Sequence, residues 1–266
     1  MFKGSVLSLL IVTVLLAGCA TVPLTGRRQL SLVSPSEMVA LGAESYEQFL
    51  EESHLSQDAR EKKMVQDVGT RIALSAEKFM REHGMERELE HYQWEFNLIE
   101  ADTIVNAFCM PGGKVAVYSG ILPVAEGENG LAVVMGHEVA HAIANHGGER
   151  MSQLLLAQLG GMALSQAVKE QPEKTQQLAM MAYGVGANVG VLLPYSRKHE
   201  SEADRIGLIL MARAGYDPHV AIPFWQRMNE QGGERPPEFL STHPAPEKRI
   251  QDIRDQIPEA MKYYQP

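Results

Sequence analysis

His137-Glu138-Val139-Ala140-His141 constrains this chain more than any other segment. It lies inside an apolar run, Leu131 to Ile143, whose residues suit a buried helix. Positions i and i+4 share a helix face, so both imidazoles can reach one zinc ion. Glu138, next to the first of them, can serve as general base toward a water. Two histidines on an otherwise apolar helix need partners, because a buried polar group left unsatisfied costs free energy. The fold must therefore bury this helix, bring a third ligand to it, and leave a fourth position open if the metal is catalytic.

The segment itself does not supply that ligand. An extended motif would need Gly at 144 and His at 147, where the chain has Ala144 and Gly147. His146 is one position off and is expected past the end of the helix, near Gly147 and Gly148. The candidate lies in Ser196-Arg197-Lys198-His199-Glu200-Ser201-Glu202-Ala203-Asp204. Glu200 and Asp204 are i and i+4 on a second helix. Glu200 can ligate while Asp204 accepts the free ring N–H of a zinc histidine. Glu202 points to another face and is expected in solvent.

The start of the chain is read as a processing signal rather than as structure. Lys3 precedes a short apolar core, Val6 to Leu16, and Leu16-Ala17-Gly18-Cys19 reads as a lipobox. The apolar run is shorter than the roughly 20 residues a membrane span needs. Residues 1–18 are thus a lipoprotein signal peptide, and Cys19 becomes the lipidated N-terminus. Ala20, in place of an aspartate, favours the outer membrane over the inner one. Residues 19–33, with Pro23, Gly26, Arg27 and Arg28, are expected to be a tether, and residues 34–266 one domain.

Ser34-Pro35-Ser36-Glu37 is a capping box that opens a helix to about Glu52. Val65, Val68, Ile72, Ala76 and Phe79 recur at helical spacing. Tyr92, Trp94, Phe96 and Leu98 alternate with polar residues, the pattern of a half-buried strand. Val105 to Met110 and Lys114 to Tyr118 flank Pro111-Gly112-Gly113 and form a hairpin. From about Asn129 onward the chain reads as helices. The class is α+β, with a small sheet ahead of a helical body. Leu154 to Val168 and Leu178 to Leu193 read as packed helices, interrupted by Gln158, Ser165, Gln166 and Asn188. Cys109 has no partner within the mature chain and is expected as a small buried side chain on a strand.

Charge excludes one class of partner. The chain has 24 Lys and Arg against 33 Asp and Glu, a net −9, and loss of Lys3 with the signal makes it −10. That balance argues against a nucleic-acid-binding surface, which needs a basic stripe to offset phosphate.

Taken in order along the chain, these segments resemble the M48 family of zinc metallopeptidases, and more narrowly its lipoprotein members in bacterial envelopes. The matching residues start at Thr25-Gly26-Arg27-Arg28-Gln29-Leu30. They continue through Asn106-Ala107-Phe108, Pro111-Gly112-Gly113-Lys114 and the two metal motifs, and end at Ser241-Thr242-His243-Pro244. The resemblance implies a mainly helical zincin domain of the gluzincin type, with a small sheet beside the helix of His137 and His141. It implies one Zn2+ per chain on His137, His141 and Glu200, with Glu138 as base and Asp204 behind the ligands. His243 matches a histidine that faces the zinc and steadies the transition state. Arg249 fits the family pattern and would orient substrate or His243. Asn106 and Ala107 match the strand ahead of the zinc helix, which would take substrate as an added strand if it lies along the cleft. The clear membrane spans of the family's prenyl proteases are not evident, so CAAX processing is not carried over.

The expectation is a lipid-anchored zinc endopeptidase on the periplasmic face of the outer membrane. It would act on misfolded or unassembled envelope proteins, with envelope assembly or quality-control partners. The competing class is a membrane-bound binding protein whose zinc is structural. Glu138 weighs against that class, since a structural site closes with four protein ligands and needs no base.

Overall fold

The computed structural model describes residues 19–188, 192–231, 237–243 and 247–265. The expected signal peptide, residues 1–18, lies outside them. The described residues divide into two compact units, one from the stretches 35–145 and 199–265, the other from 19–34 and 146–198.

The larger unit begins with α1 (Pro35–Glu52), whose first residue is the proline of the capping box. α2 (Ala59–Glu82) opens on Asp58, whose carboxylate accepts the backbone N–H groups of Arg60 and Glu61 at 2.9 and 2.8 Å. Val65, Val68, Ile72, Ala76 and Phe79 are all buried on its inner face, as their spacing requires. After the single turn α3 (Glu86–Leu89) come three strands, β3 (Glu95–Ile99), β4 (Ala107–Met110) and β5 (Lys114–Tyr118). Two short strands, β1 (Cys19–Thr21) and β2 (Arg28–Leu30), belong to the smaller unit.

The sheet order is β3-β5-β4, with β3 parallel and β4 antiparallel to β5. The hairpin turns on Gly112 and Gly113, with φ of +88° and +87°, a backbone conformation that side chains disfavour. β3 is shorter than the alternation suggests. Tyr92 and Trp94 lie ahead of it, and only Leu98 and Ile99 of the strand are buried. Tyr46 of α1 donates its hydroxyl to the Val115 carbonyl at 2.6 Å, joining helix to sheet. β4 ends the sheet and lies against α5 (Glu128–Ile143), which follows the single turn α4 (Leu122–Ala125).

α5 is buried nearly all round, and α2 packs along it. It ends where Asn145 takes a positive φ of 53°, and His146 opens the next helix rather than trailing from this one. α8 (Leu193–Arg213) belongs to this unit from His199 on. It crosses α5 at paired glycines. A methyl group on Gly136 would lie 2.9 Å from the Gly207 carbonyl oxygen, and one on Gly207 would lie 2.9 Å from the His137 nitrogen. That contact sets the two helix backbones at the distance the site needs. α9 (Ala221–Glu230), α10 (Glu238–Thr242) and α11 (Glu247–Ala260) complete the unit.

The smaller unit contains the stretch expected as a tether, and that stretch is folded. β1 and β2 pair antiparallel, with Cys19 opposite Leu30. Arg27 holds Glu149 through two hydrogen bonds of 2.9 and 2.6 Å, and the Leu32 N–H donates to the Ser152 hydroxyl at 2.9 Å. Glu149 and Ser152 belong to α6 (His146–Val168), which forms a hairpin with α7 (Glu173–Ala187). Tyr183 of α7 crosses Gly160 and donates its hydroxyl to the Ala157 carbonyl at 2.8 Å. These two helices were expected to pack their apolar residues away, yet much of their apolar surface is exposed. Residues 189–191 lie outside the described residues.

Gly207→Ala is expected to destabilise the protein by about 1–3 kcal/mol in urea unfolding, because a methyl there must push two helix backbones apart. Gly184→Ala in α7, where a methyl meets nothing within 4 Å, is expected to be neutral or stabilising by up to about 1 kcal/mol. Equal responses at the two positions would contradict the close-contact account.

Candidate active site

The α5–α8 crossing brings together the residues that sequence spacing singled out. The Nε2 atoms of His137 and His141 are 3.1 Å apart. Glu200 Oε2 lies 3.5 Å from His137 Nε2, and Glu200 Oε1 lies 3.4 Å from His141 Nε2. His243 joins them from the residue after α10. Donor atoms of all four side chains lie within 4.8 Å of one another.

These distances fit a metal. Ligands 2.0–2.1 Å from a tetrahedral zinc stand roughly 3.3 Å from each other. The three separations among His137, His141 and Glu200 fall close to that value. Two imidazole nitrogens facing each other at 3.1 Å need a cation or a shared proton between them. Glu200 Oε2 and Glu138 Oε1 are both buried without a hydrogen-bond partner. Arg249 Nη1 stands 3.0 Å from Glu200 Oε2 as an ion pair. The residues present therefore suit a divalent ion with nitrogen and oxygen ligands.

Behind the cluster, Asp204 sets the histidine. Its Oδ1 lies 3.0 Å from His137 Nδ1, which donates its proton to the carboxylate and leaves Nε2 as the atom that faces the cluster. Arg249 clamps the other side of Asp204 through Nε and Nη2, both at 2.8 Å, and Nη1 donates to the His243 carbonyl at 3.2 Å. The Arg249 guanidinium lies 3.9 Å over the Trp225 ring. Arg249 is 6% exposed, so it contacts the site residues and the chain at His243 rather than the open surface.

Electrostatics follow from this geometry. Burial pushes the His137 imidazole down, but hydrogen bonds to Asp204 and Glu200 outweigh it and lift the pKa to about 9. Burial alone would raise Asp204, yet Arg249 and His137 hold it at about 2. Glu200 is likewise held below the carboxylate range, its two histidines overcoming desolvation. Glu138 follows His137 on α5 and is buried next to the cluster. Burial raises it to about 8 against the pull of His137, and it accepts the Cys109 backbone N–H. Burial and the neighbouring His137 lower His243 to about 2, so its ring is neutral and offers one N–H. His243 Nε2 lies 3.5 Å from Glu138 Oε1.

Other expected residues sit differently. Glu202 is buried, not solvated, because α8 is enclosed on most sides from residue 202 onward. Asn106 caps its own strand, its Oδ1 accepting the Ala107 N–H at 2.9 Å, and Ala107 is buried. Neither belongs to the ligand cluster. Both lie at β4, whose outer edge is paired with no other strand among the described residues. Cys109 is a half-buried free thiol on that strand, and burial raises its pKa well above the usual thiol value.

Two residues were not foreseen. Trp225 packs edge-on to His137 with ring centres 6.0 Å apart, and Phe239 stacks on His243 at 4.6 Å. Neither carries a local pattern in the sequence that distinguishes it from an ordinary core aromatic.

Removing Arg249 leaves Asp204 and Glu200 as buried carboxylates with one positive partner fewer. Arg249→Leu is expected to cost roughly 3–5 kcal/mol of stability by thermal or chemical unfolding. Arg249→Lys is expected to recover only part of it, because an ammonium cannot span both Asp204 oxygens. A fully stable Arg249→Leu protein would contradict the clamp.

Comparison with known proteins agrees with this geometry. Residues 61–257 match Peptidase family M48. The mitochondrial metalloendopeptidase OMA1 of Schizosaccharomyces pombe is 41% identical over 170 residues, 63% of this chain and 48% of that protein. Human metalloendopeptidase OMA1, also mitochondrial, is 30% identical over 253 residues, 90% of this chain and 46% of that protein. The beta-barrel assembly-enhancing protease of Escherichia coli K12 is 33% identical over 174 residues, 61% of this chain and 34% of that protein. The chain spans about half the length, or less, of these relatives. With the family match covering most of its residues and both metal motifs, the chain belongs to peptidase family M48.

Proposed function

We propose that this protein is a zinc-dependent endopeptidase, lipid-anchored in a bacterial envelope. The observation that carries the reading is the convergence of His137, His141 and Glu200, with the buried Glu138 beside them and its Oε1 without a hydrogen-bond partner. His137, His141 and Glu200 would hold one zinc ion. When bound, the ion supplies Lewis-acid polarisation of a scissile carbonyl and lowers the pKa of a water toward about 7.

Glu138 is placed to take a proton from the attacking water and return it to the leaving amine. Burial raises its proton affinity, which suits a group that must hold the proton between the two transfers. His243, neutral and carrying one N–H, donates to the oxyanion that develops on the substrate carbonyl, a contribution typically worth about 3 kcal/mol. Asp204 fixes the His137 tautomer. Arg249 is a positioning residue, holding Asp204 and the backbone at His243. The free edge of β4 suits a substrate segment added as a strand, which reads backbone more than side chains.

That mode of recognition favours unfolded or unassembled proteins as substrates. Envelope localisation rests on the lipobox, Leu16-Ala17-Gly18-Cys19, with the outer membrane favoured by Ala20. The Escherichia coli relative, named for enhancing beta-barrel assembly, points toward envelope assembly or quality-control partners.

A casein digest tests the reading. Glu138→Gln is expected to keep its zinc, measured by atomic absorption, while turnover falls by roughly 10²–10⁴-fold. Undiminished cleavage by that variant would return the protein to the competing class, a binding protein whose zinc is structural.

A further inference from the structure

The smaller unit differs from the rest of the chain in two independent ways. The first is apolar exposure. Of the twelve large apolar side chains exposed among the described residues, nine lie on α6 and α7. Six of them form stripes at helical spacing, Leu155, Leu159 and Met162 on α6 and Leu178, Met181 and Val185 on α7. Leu159 and Met181 are 55% and 67% exposed. No charged residue falls between Arg150 and Lys169, nor between Lys174 and Arg197.

The second difference is charge. Residues 19–34 and 146–198 carry seven Lys and Arg against Glu149, Glu170 and Glu173, a net +4. The remaining mature residues carry 16 against 30, a net −14. Glu149 is buried against Arg27, so the acids left at the surface of the smaller unit are Glu170 and Glu173, in and beside the turn of the hairpin.

An apolar helix face with cationic surroundings matches the chemistry of an anionic lipid surface, with the apolar side chains in the acyl boundary and the cations among the headgroups. The position of Cys19 favours the same occupant. Its backbone pairs with Leu30, so its Cα stands about 5 Å from that of Leu30. Leu30 in turn lines an apolar groove with Leu156, Ala157, Tyr183 and Ala187 of the hairpin. No flexible tether separates Cys19 from these helices. An acyl group there would bring the bilayer directly to them.

We propose that the α6–α7 hairpin lies flat on an anionic lipid surface and forms a second, reversible membrane contact beside the lipid on Cys19. The position argument rests on the lipid-anchor reading, whereas exposure and charge do not. No helix among the described residues is long and apolar enough to cross a membrane, so the contact is interfacial.

The test uses the zinc-loaded mature chain carrying Cys19→Ala, so that no lipid is attached. It is expected to co-sediment with vesicles of phosphatidylcholine mixed with phosphatidylglycerol, and more weakly with phosphatidylcholine alone. Adding Leu155→Glu, Leu159→Glu and Met181→Glu is expected to weaken binding to the mixed vesicles by about tenfold or more, with casein turnover unchanged. No binding by the parent, or undiminished binding by the triple variant, would overturn the proposal. A parent dimer that becomes monomeric in the triple variant, with no vesicle binding by either, would assign the face to a second copy of the chain. Radiolabelled palmitate incorporation at the native Cys19 reads the anchor separately. An unlabelled Cys19 would overturn the anchor reading, while vesicle binding by the unlipidated chain stands or falls apart from it.

Discussion

The site depends on one carboxylate. Asp204 is buried between the Nδ1 of His137 and the guanidinium of Arg249, and its charge is held by both. A lone buried carboxylate would take up a proton rather than stay charged. Here the arginine offsets desolvation and the histidine is oriented in return. The same arginine reaches Glu200 and the carbonyl of His243, so one cation connects three helical segments. Such a network is not a stability device in itself, since an apolar replacement of the whole set can be as stable. Its effect is to fix which imidazole nitrogen faces the cluster and where the carboxylates stand.

Backbone contact makes that network possible. Gly136 and Gly207 let α5 and α8 touch at a distance no larger residue permits, which puts Glu200 and Asp204 beside His137. Around the crossing, Trp225 and Phe239 close the apolar side and exclude water, which strengthens each charge interaction within. Glu138 is the exception. It is buried near the ligands with no cation of its own in contact, and so keeps a raised proton affinity. Asp204 is thus held charged by its two partners, whereas burial raises the proton affinity of Glu138.

Much of this was legible in the sequence because helical spacing is a strong constraint. His137 with His141, and Glu200 with Asp204, could share faces only as helix neighbours, and both pairs meet as the spacing implies. The half-buried β3 and the glycine hairpin were readable for the same kind of reason, although β3 is shorter than its alternation. What escaped was determined by distant packing. Glu202 looked solvated because a charged helix face usually is, yet α8 is enclosed. Residues 19–33 looked like a tether from their composition, but Arg27 finds Glu149, 122 positions away, and the strand pair is held. Nothing local marks Gly136 and Gly207 as a helix crossing, or Trp225 as the floor under Arg249. The apolar faces of α6 and α7 were read as core because sequence composition cannot separate a face buried in protein from one left exposed.

We propose a single zinc ion held by the nitrogen and oxygen donors of His137, His141 and Glu200. X-ray absorption at the zinc edge of the loaded protein tests it most directly. One zinc per chain is expected, with imidazole scattering and a first shell of nitrogen and oxygen at about 2.0–2.2 Å. A sulfur neighbour at about 2.3 Å, which only a cysteine thiolate such as Cys109 could provide, would contradict it.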